Sequence, residues 1–134
     1  MSAAENRKLI EDAFGHWVRG DRAAFNNLLA DDLHWTVIGN SPVSGRYNSK
    51  REFRDVVRRL SEQFTTDLKV TVRDVFADGD KVAIQFESHA EARNGTAYDQ
   101  TYCWVTRLEG GLVREVIAYL DTELVSKLFT AGTT

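Results

Sequence analysis

Leu9, Ile10, Ala13, Phe14, Trp17 and Val18 recur at three- and four-residue intervals, which places them on one face of a helix. Ser2 and Glu5 stand ahead of them at the spacing of a capping box, where each side chain accepts from the other's backbone N–H. Gly20 predicts the end of that helix, since glycine readily takes the left-handed closing conformation. Asp21 then predicts the cap of a short second helix with Phe25, Leu28 and Leu29 on one face. Leu33 to Ile38 alternates and is rich in aromatic and β-branched residues, which predicts a strand. Gly39 to Gly45, with the lone proline Pro42, reads as a loop. Ser49 and Glu52 repeat the capping spacing, and Phe53, Val56, Val57, Leu60 and Phe64 form the stripe of a third helix.

Beyond residue 67 the period changes to two. Leu68–Phe76, Val82–Arg93, Ala97–Leu108 and Leu112–Leu120 read as strands, broken at Asp78-Gly79-Asp80, Asn94-Gly95 and Gly110-Gly111. Such short breaks between strand-like runs are hairpin signals, so the four strands are expected to form an antiparallel meander. Glu123–Phe129 suits a short closing helix. Helices first and strands afterwards predict an α+β domain spanning 1–134, with helices on one face of a curved sheet.

Charge narrows the function classes. The formal net charge is −3, from 17 basic and 20 acidic side chains, which is the wrong sign for a nucleic-acid surface. The most basic stretch, Lys50, Arg51, Arg54, Arg58 and Arg59, also holds Glu52, Asp55 and Glu62, so it reads as a mixed, solvated face. Cys103 is the only cysteine, which excludes an internal disulfide and suits a reducing cytoplasm. No apolar stretch approaches the ~20 residues of a spanning helix, and Met1 to Arg7 lacks the pattern of a secretory signal. No metal-ligand pair of histidines and no glycine-rich phosphate loop is present, so neither metal nor cofactor is expected.

The element order and several local strings resemble the SnoaL-like and ketosteroid-isomerase-like superfamily, of the nuclear transport factor two-like fold. The strings are Gly20-Asp21, Ala30-Asp31-Asp32, Gly39 through Ser44-Gly45, Asn94-Gly95 through Tyr98 and Tyr102, and Tyr119-Leu120-Asp121. They cover nearly the whole chain. The resemblance implies a cone-shaped antiparallel sheet packed against three N-terminal helices, a pocket between them, and a homodimer through the outer sheet face. It implies no single activity, because relatives include isomerases, cyclases, epoxide hydrolases, dehydratases and binding modules.

Compared with the family's catalytic patterns, this chain departs at each key position. The isomerase base falls at Thr36, the oxyanion tyrosine near Ala13 and the protonated aspartate near Trp104. The aspartate that limonene-type epoxide hydrolases carry on the final strand is Ala118. Both constellations are therefore absent. Asp121 matches a terminal aspartate that suits the cap of the closing helix.

Two readings of the strand Val82–Ala92 compete. Alternation alone puts Gln85, Glu87, His89 and Glu91 in water. Counting back from Asn94-Gly95, the resemblance instead places Glu87 and His89 in the pocket, and the face with Phe86, Cys103, Val105 and Ile117 outside. On the second reading Glu87 serves as base, His89 as acid or orienting partner and Tyr102 as donor to a developing oxyanion. Tyr98, Gln100, Trp104, Ala118 and Leu120 of the later strands, Thr36 of the first strand, and Trp17, Phe53 and Val57 of the helices would line the cavity. His34 would reach its mouth. The expected ligand is an apolar, oxygenated small molecule, and the expected chemistry a cofactor-independent isomerisation, cyclisation or dehydration. A non-catalytic binding module and a dimeric interaction subunit are the alternatives.

Overall fold

A computed structural model of the protein describes residues 1–130. The first capping box forms as read. Ser2 Oγ accepts from the Glu5 N–H and Glu5 Oε1 from the Ser2 N–H, and helix α1 runs Ala3–Val18. Its buried face is Asn6, Ile10, Ala13 and Phe14. Helix α2, Ala23–Leu28, follows, with Asp21 Oδ1 accepting from the Ala23 N–H. Strand β1 is Leu29–Val37, so it begins earlier than alternation alone suggests.

Within the expected loop lies a three-residue strand, β2, Gly45–Tyr47, too short to carry a periodic signal. Helix α3, Lys50–Ser61, starts at Ser49, whose Oγ accepts from the Glu52 N–H. The Glu52 carboxylate goes to the Asn48 N–H instead, so only half of the second box closes. The helix ends before Phe64, which forms an isolated bridge to Ala92.

Strands β3 (Lys69–Asp78), β4 (Lys81–Glu91), β5 (Ala97–Glu109) and β6 (Leu112–Leu120) form the antiparallel meander. Helix α4, Thr122–Lys127, is capped by Asp121, whose Oδ1 accepts from the Leu124 N–H. The sheet order is β2-β1-β6-β5-β4-β3, and β1 joins β6 in parallel. Arg73 is an extra residue in β3, between the pairs Val72–Phe86 and Asp74–Gln85. Such a bulge bends and twists a strand, which helps the sheet curve around its contents.

Helices α1 and α3 pack on one face of the sheet, α1 against β3 and β4 and α3 against β1. Asn6, buried on α1, donates from Nδ2 to the Gly79 carbonyl at 3.4 Å, tying the helix to the β3–β4 turn. The architecture is α+β with a curved, open six-stranded sheet. Among the described residues no helix is long and apolar enough to cross a membrane.

Gly39, just past β1, has φ +79°, and a Cβ there would lie 2.8 Å from both Cγ2 and Oγ1 of Thr122 at the start of α4. Gly39→Ala therefore carries backbone strain and a steric contact together, and is expected to cost more than about 1 kcal/mol. Gly20→Ala, at φ +96° with nothing within 4 Å, carries the strain alone and should cost less. Urea denaturation midpoints of the two variants check the order.

Candidate functional site

Alternation on β5 puts Tyr98, Gln100, Tyr102, Trp104, Thr106 and Leu108 under the helices. The register pairs Tyr102 with Phe86 of β4 and with Leu120 of β6, and Trp104 with Ile84 and Ala118. Above this wall lies a cleft of about 1470 Å³, closed by α2, α3, the segment 61–68 and Val125 of α4. Such a size accommodates a small organic molecule.

The walls are aromatic. Trp35 stacks on Phe53 at 4.0 Å and meets Trp104 edge-on at 4.8 Å. Trp17 stacks on Phe25, and Phe25 lies 5.6 Å from Trp104. Phe86 stacks on Tyr102 at 4.3 Å with ring planes 9° apart. Offset and edge-on pairs of this kind hold ring positions beyond what burial alone secures. Charge is confined to the rim, where Arg22, Lys50, Arg51, Arg54 and Arg58 gather with Asp31, Asp55 and Asp67, all exposed except the half-buried Lys50. Of these, Arg58 is paired with Asp55.

The polar groups of the wall are neutral. Tyr102 and Ser88 share a hydrogen bond of 2.8 Å. Burial pushes the Tyr102 phenol well above its ordinary value, and the neighbouring Tyr98 adds to the effect. Burial likewise raises Tyr98. Both phenols therefore stay protonated and able to donate. Trp104 is 8% exposed and its indole Nε1 has no partner among the described residues.

Eight of the residues read from the sequence line this cleft: Trp17, Phe53, Val57, Tyr98, Tyr102, Trp104, Ala118 and Leu120. Gln100 is buried behind Tyr98, held by the backbone of Asp121. Five placements are corrected. Glu87 and His89 lie on the outer face, 45% and 47% exposed at the side chain. Thr36 also faces outward, between Arg46 and Ile117. Phe86, by contrast, is buried on the inner face. The cause is parity: Ile84, Phe86 and Ser88 are the buried set, so the intervening residues point away. His34 shares that outward parity and bonds Asn48 at 3.0 Å, away from the cleft mouth.

On the outer face Glu87 pairs with Arg73 at 2.8 Å, and that hydrogen bond lowers its carboxyl below the ordinary range. His89 lies between Asp99 and Glu91, with Lys69 as its cross-strand neighbour. Trp35 is the main lining residue that the sequence reading passed over. Its signal was the apolar alternation Leu33, Trp35, Val37, which outweighs any alignment through the following loop. Among the described residues no three His, Cys, Asp or Glu side chains are grouped as a metal site would need.

The SnoaL-like domain family matches residues 10–116, and the chain belongs to it. No curated protein matches. Among solved structures, Bal32a from a soil-derived mobile gene cassette superposes with a TM-score of 0.81 at 18% identity, over 96% of this chain and 98% of that one. A protein from Jannaschia, described as a candidate SnoaL-like polyketide cyclase, gives 0.77 at 18% identity, over 98% and 95%. TerC, co-crystallised with polyporic acid, gives 0.76 at 13% identity, over 92% and 96%. At these identities the likeness is one of fold.

The hydrogen bond that His89 donates to Asp99 raises its imidazole above the ordinary value, and the charges of Asp99 and Glu91 add to it. The protonated ring therefore stabilises the fold fully below its unfolded value of about 6.5, and that contribution is lost as pH rises through the higher folded value. The gap in urea midpoint between wild type and His89→Gln should be open near pH 6 and closed in alkaline buffer. An unchanged gap across that range would remove the ion-pair assignment.

Proposed function

We propose that this member of the SnoaL-like family binds a flat, apolar, oxygenated small molecule of polyketide or terpenoid kind in the cleft beneath α3. The observation that carries the reading is the composition of the cleft. Its body is built of Trp17, Trp35, Phe53 and Trp104, its inner wall carries neutral hydroxyl donors, and its charges stay at the rim. Flat rings suit such walls, and a few convergent polar groups set their orientation. The fold shared with TerC, which was co-crystallised with polyporic acid, supports the same ligand class. The basic side chains at the rim suit an acidic substituent left facing water.

Binding ranks above general acid–base catalysis because the inner wall holds no carboxylate and no imidazole among the described residues. Tyr102 remains the group best placed to donate to a ligand oxygen, and any turnover would use it as a hydrogen-bond donor rather than a base. Glu87 and His89 would need a reacting molecule on the opposite face of the sheet. No cofactor enters this reading. The unpaired Cys103 fits a cytoplasmic setting.

A second copy of the chain is the proposed partner of the outer face. Ile117, Val105, Ala83 and Phe76 stand in register across four adjacent strands, and Tyr119 lies beside them next to Cys103. Phe76, Ile117 and Tyr119 are 50%, 40% and 44% exposed. An apolar row of this length across a sheet is the kind of patch that association covers.

A ligand at a hundred times its dissociation constant adds about 2.7 kcal/mol to stability. A panel of flat hydroxylated and carbonyl-bearing aromatics is therefore expected to include compounds that raise the melting midpoint by roughly 4 °C or more. Val57→Trp, which fills the cleft from α3, should fold and abolish the shift. A broad panel that moves neither protein would refute the binding reading. For the outer face, light scattering should give a dimer mass for wild type and a monomer mass for Ile117→Asp; a monomeric wild type at tens of micromolar removes the partner.

A further inference from the structure

Tyr98 and Tyr102 are the buried hydroxyl groups of the cleft lining, and Gln100 and Ser88, also buried, bond to them from behind. The orientation of Gln100 is fixed by its neighbours. Its Oε1 accepts from the backbone N–H of Asp121 at 2.8 Å and of Thr101 at 3.0 Å, groups that can only donate. Its Nε2 therefore carries the hydrogens, which go to the Asp121 carbonyl at 2.9 Å and the Tyr98 hydroxyl oxygen at 3.2 Å. Tyr98 is thus an acceptor toward Gln100, and its own hydrogen must point elsewhere.

The remaining count leaves a surplus. Ser88 and Tyr102 share one hydrogen bond, which uses one of their two hydrogens. Among the described residues none of the three hydroxyls donates to a backbone carbonyl. If Tyr98 turns its hydrogen to the nearby Tyr102, one hydrogen of the three still has no acceptor. Trp104 adds a donor of the same kind. Its Nε1–H, which can never accept, faces no oxygen, and its ring meets Trp35 and Phe86 edge-on at 4.8 and 4.7 Å. The Gln100 oxygen is filled by two backbone N–H groups, while donors on this wall remain without acceptors. Buried donors without partners cost free energy that a matching acceptor recovers.

We propose that this wall is a subsite for an accepting ligand oxygen, as in a ketone, quinone or enolate, which takes the unplaced hydroxyl hydrogen of Tyr98 or Tyr102. The subsite rests on the binding function proposed above and narrows its ligand class. A hydrocarbon of the same shape leaves the donors unmet and binds more weakly.

9-Fluorenone and fluorene test this, because they share a flat skeleton and differ by a carbonyl in place of a methylene. Wild type should bind fluorenone at least about tenfold more tightly than fluorene. Tyr98→Phe/Tyr102→Phe keeps both rings and removes both hydroxyls. It should bring the two affinities together. The carbonyl stretch of bound fluorenone should lie at lower frequency in wild type than in the double variant, a shift that a purely structural role would not produce. Should the double variant fail to fold, the single variants are read the same way, and the donor is the one whose loss moves the stretch upward. A wild-type ratio near one, or a preference that survives loss of the hydroxyls, overturns the subsite and leaves the cleft as a binding site. If neither compound binds wild type up to its solubility, the binding function itself fails and the subsite falls with it.

Discussion

The register between β4 and β5 determines the inside and outside of this molecule. Phe86 opposite Tyr102 and Ile84 opposite Trp104 put stacked and edge-on rings on the helix side of the sheet. A slip of one residue would exchange the two faces, carrying Glu87 and His89 beneath the helices and Phe86 into water. The aromatic network opposes that slip. Trp104 alone touches Phe14 of α1, Phe25 of α2, Trp35 of β1, Phe86 of the adjoining β4 and Tyr102 of its own β5. One side chain thus joins the helical layer to three strands, and its burial fixes the wall from which the cleft is built.

Local signals were legible in the sequence because their cause is local. A Ser-x-x-Glu spacing reports a helix start whatever lies around it, and both helix starts so marked are present. The glycine-containing breaks gave the meander for the same reason. The parity of β4 was harder, since it depends on what covers each face. The outer face of this sheet is not simply polar. Cys103, Val105, Ile117 and Tyr119 make it partly apolar, so hydrophobicity alone does not separate core from exterior there. Strand β4 carries its own answer, in that Val82, Ile84, Phe86 and Ala90 are apolar and their neighbours are mostly charged or amide. The pattern on β1 is as plain, with Trp35 inside and Thr36 outside. At both places simple alternation describes the side chains better than alignment to a distant catalytic pattern.

That parity also separates two kinds of electrostatics. The charged pairs of the sheet, Arg73 with Glu87, Arg107 with Glu115, and His89 with its two carboxylates, lie where water and salt screen them. The cleft wall, under the helices, holds hydroxyls, an amide and an indole, none of which is ionised. A carboxylate placed there would lose its hydration and need a partner charge to remain ionised. Neutral donors fill the same positions at lower cost, and they can still polarise a ligand oxygen. The division explains why a sequence with many acids and bases on its strands yields a cleft suited to recognition by hydrogen bonds.

The cleft and the end of the chain are mechanically joined through Gln100. Its amide takes both the N–H and the carbonyl of Asp121, the residue that caps α4, while α4 contributes Val125 to the cleft lining. Gly39 approaches the same junction from β1, where its missing Cβ makes room for Thr122. Three strands therefore meet at one helix start: β6 leads into it, β5 clamps it through Gln100, and the end of β1 packs against it. The same clamp orients the Tyr98 oxygen toward the amide and frees its hydrogen. The direction of hydrogen bonding in the cleft is thus set by backbone groups of the β6–α4 turn, which no ligand needs to touch.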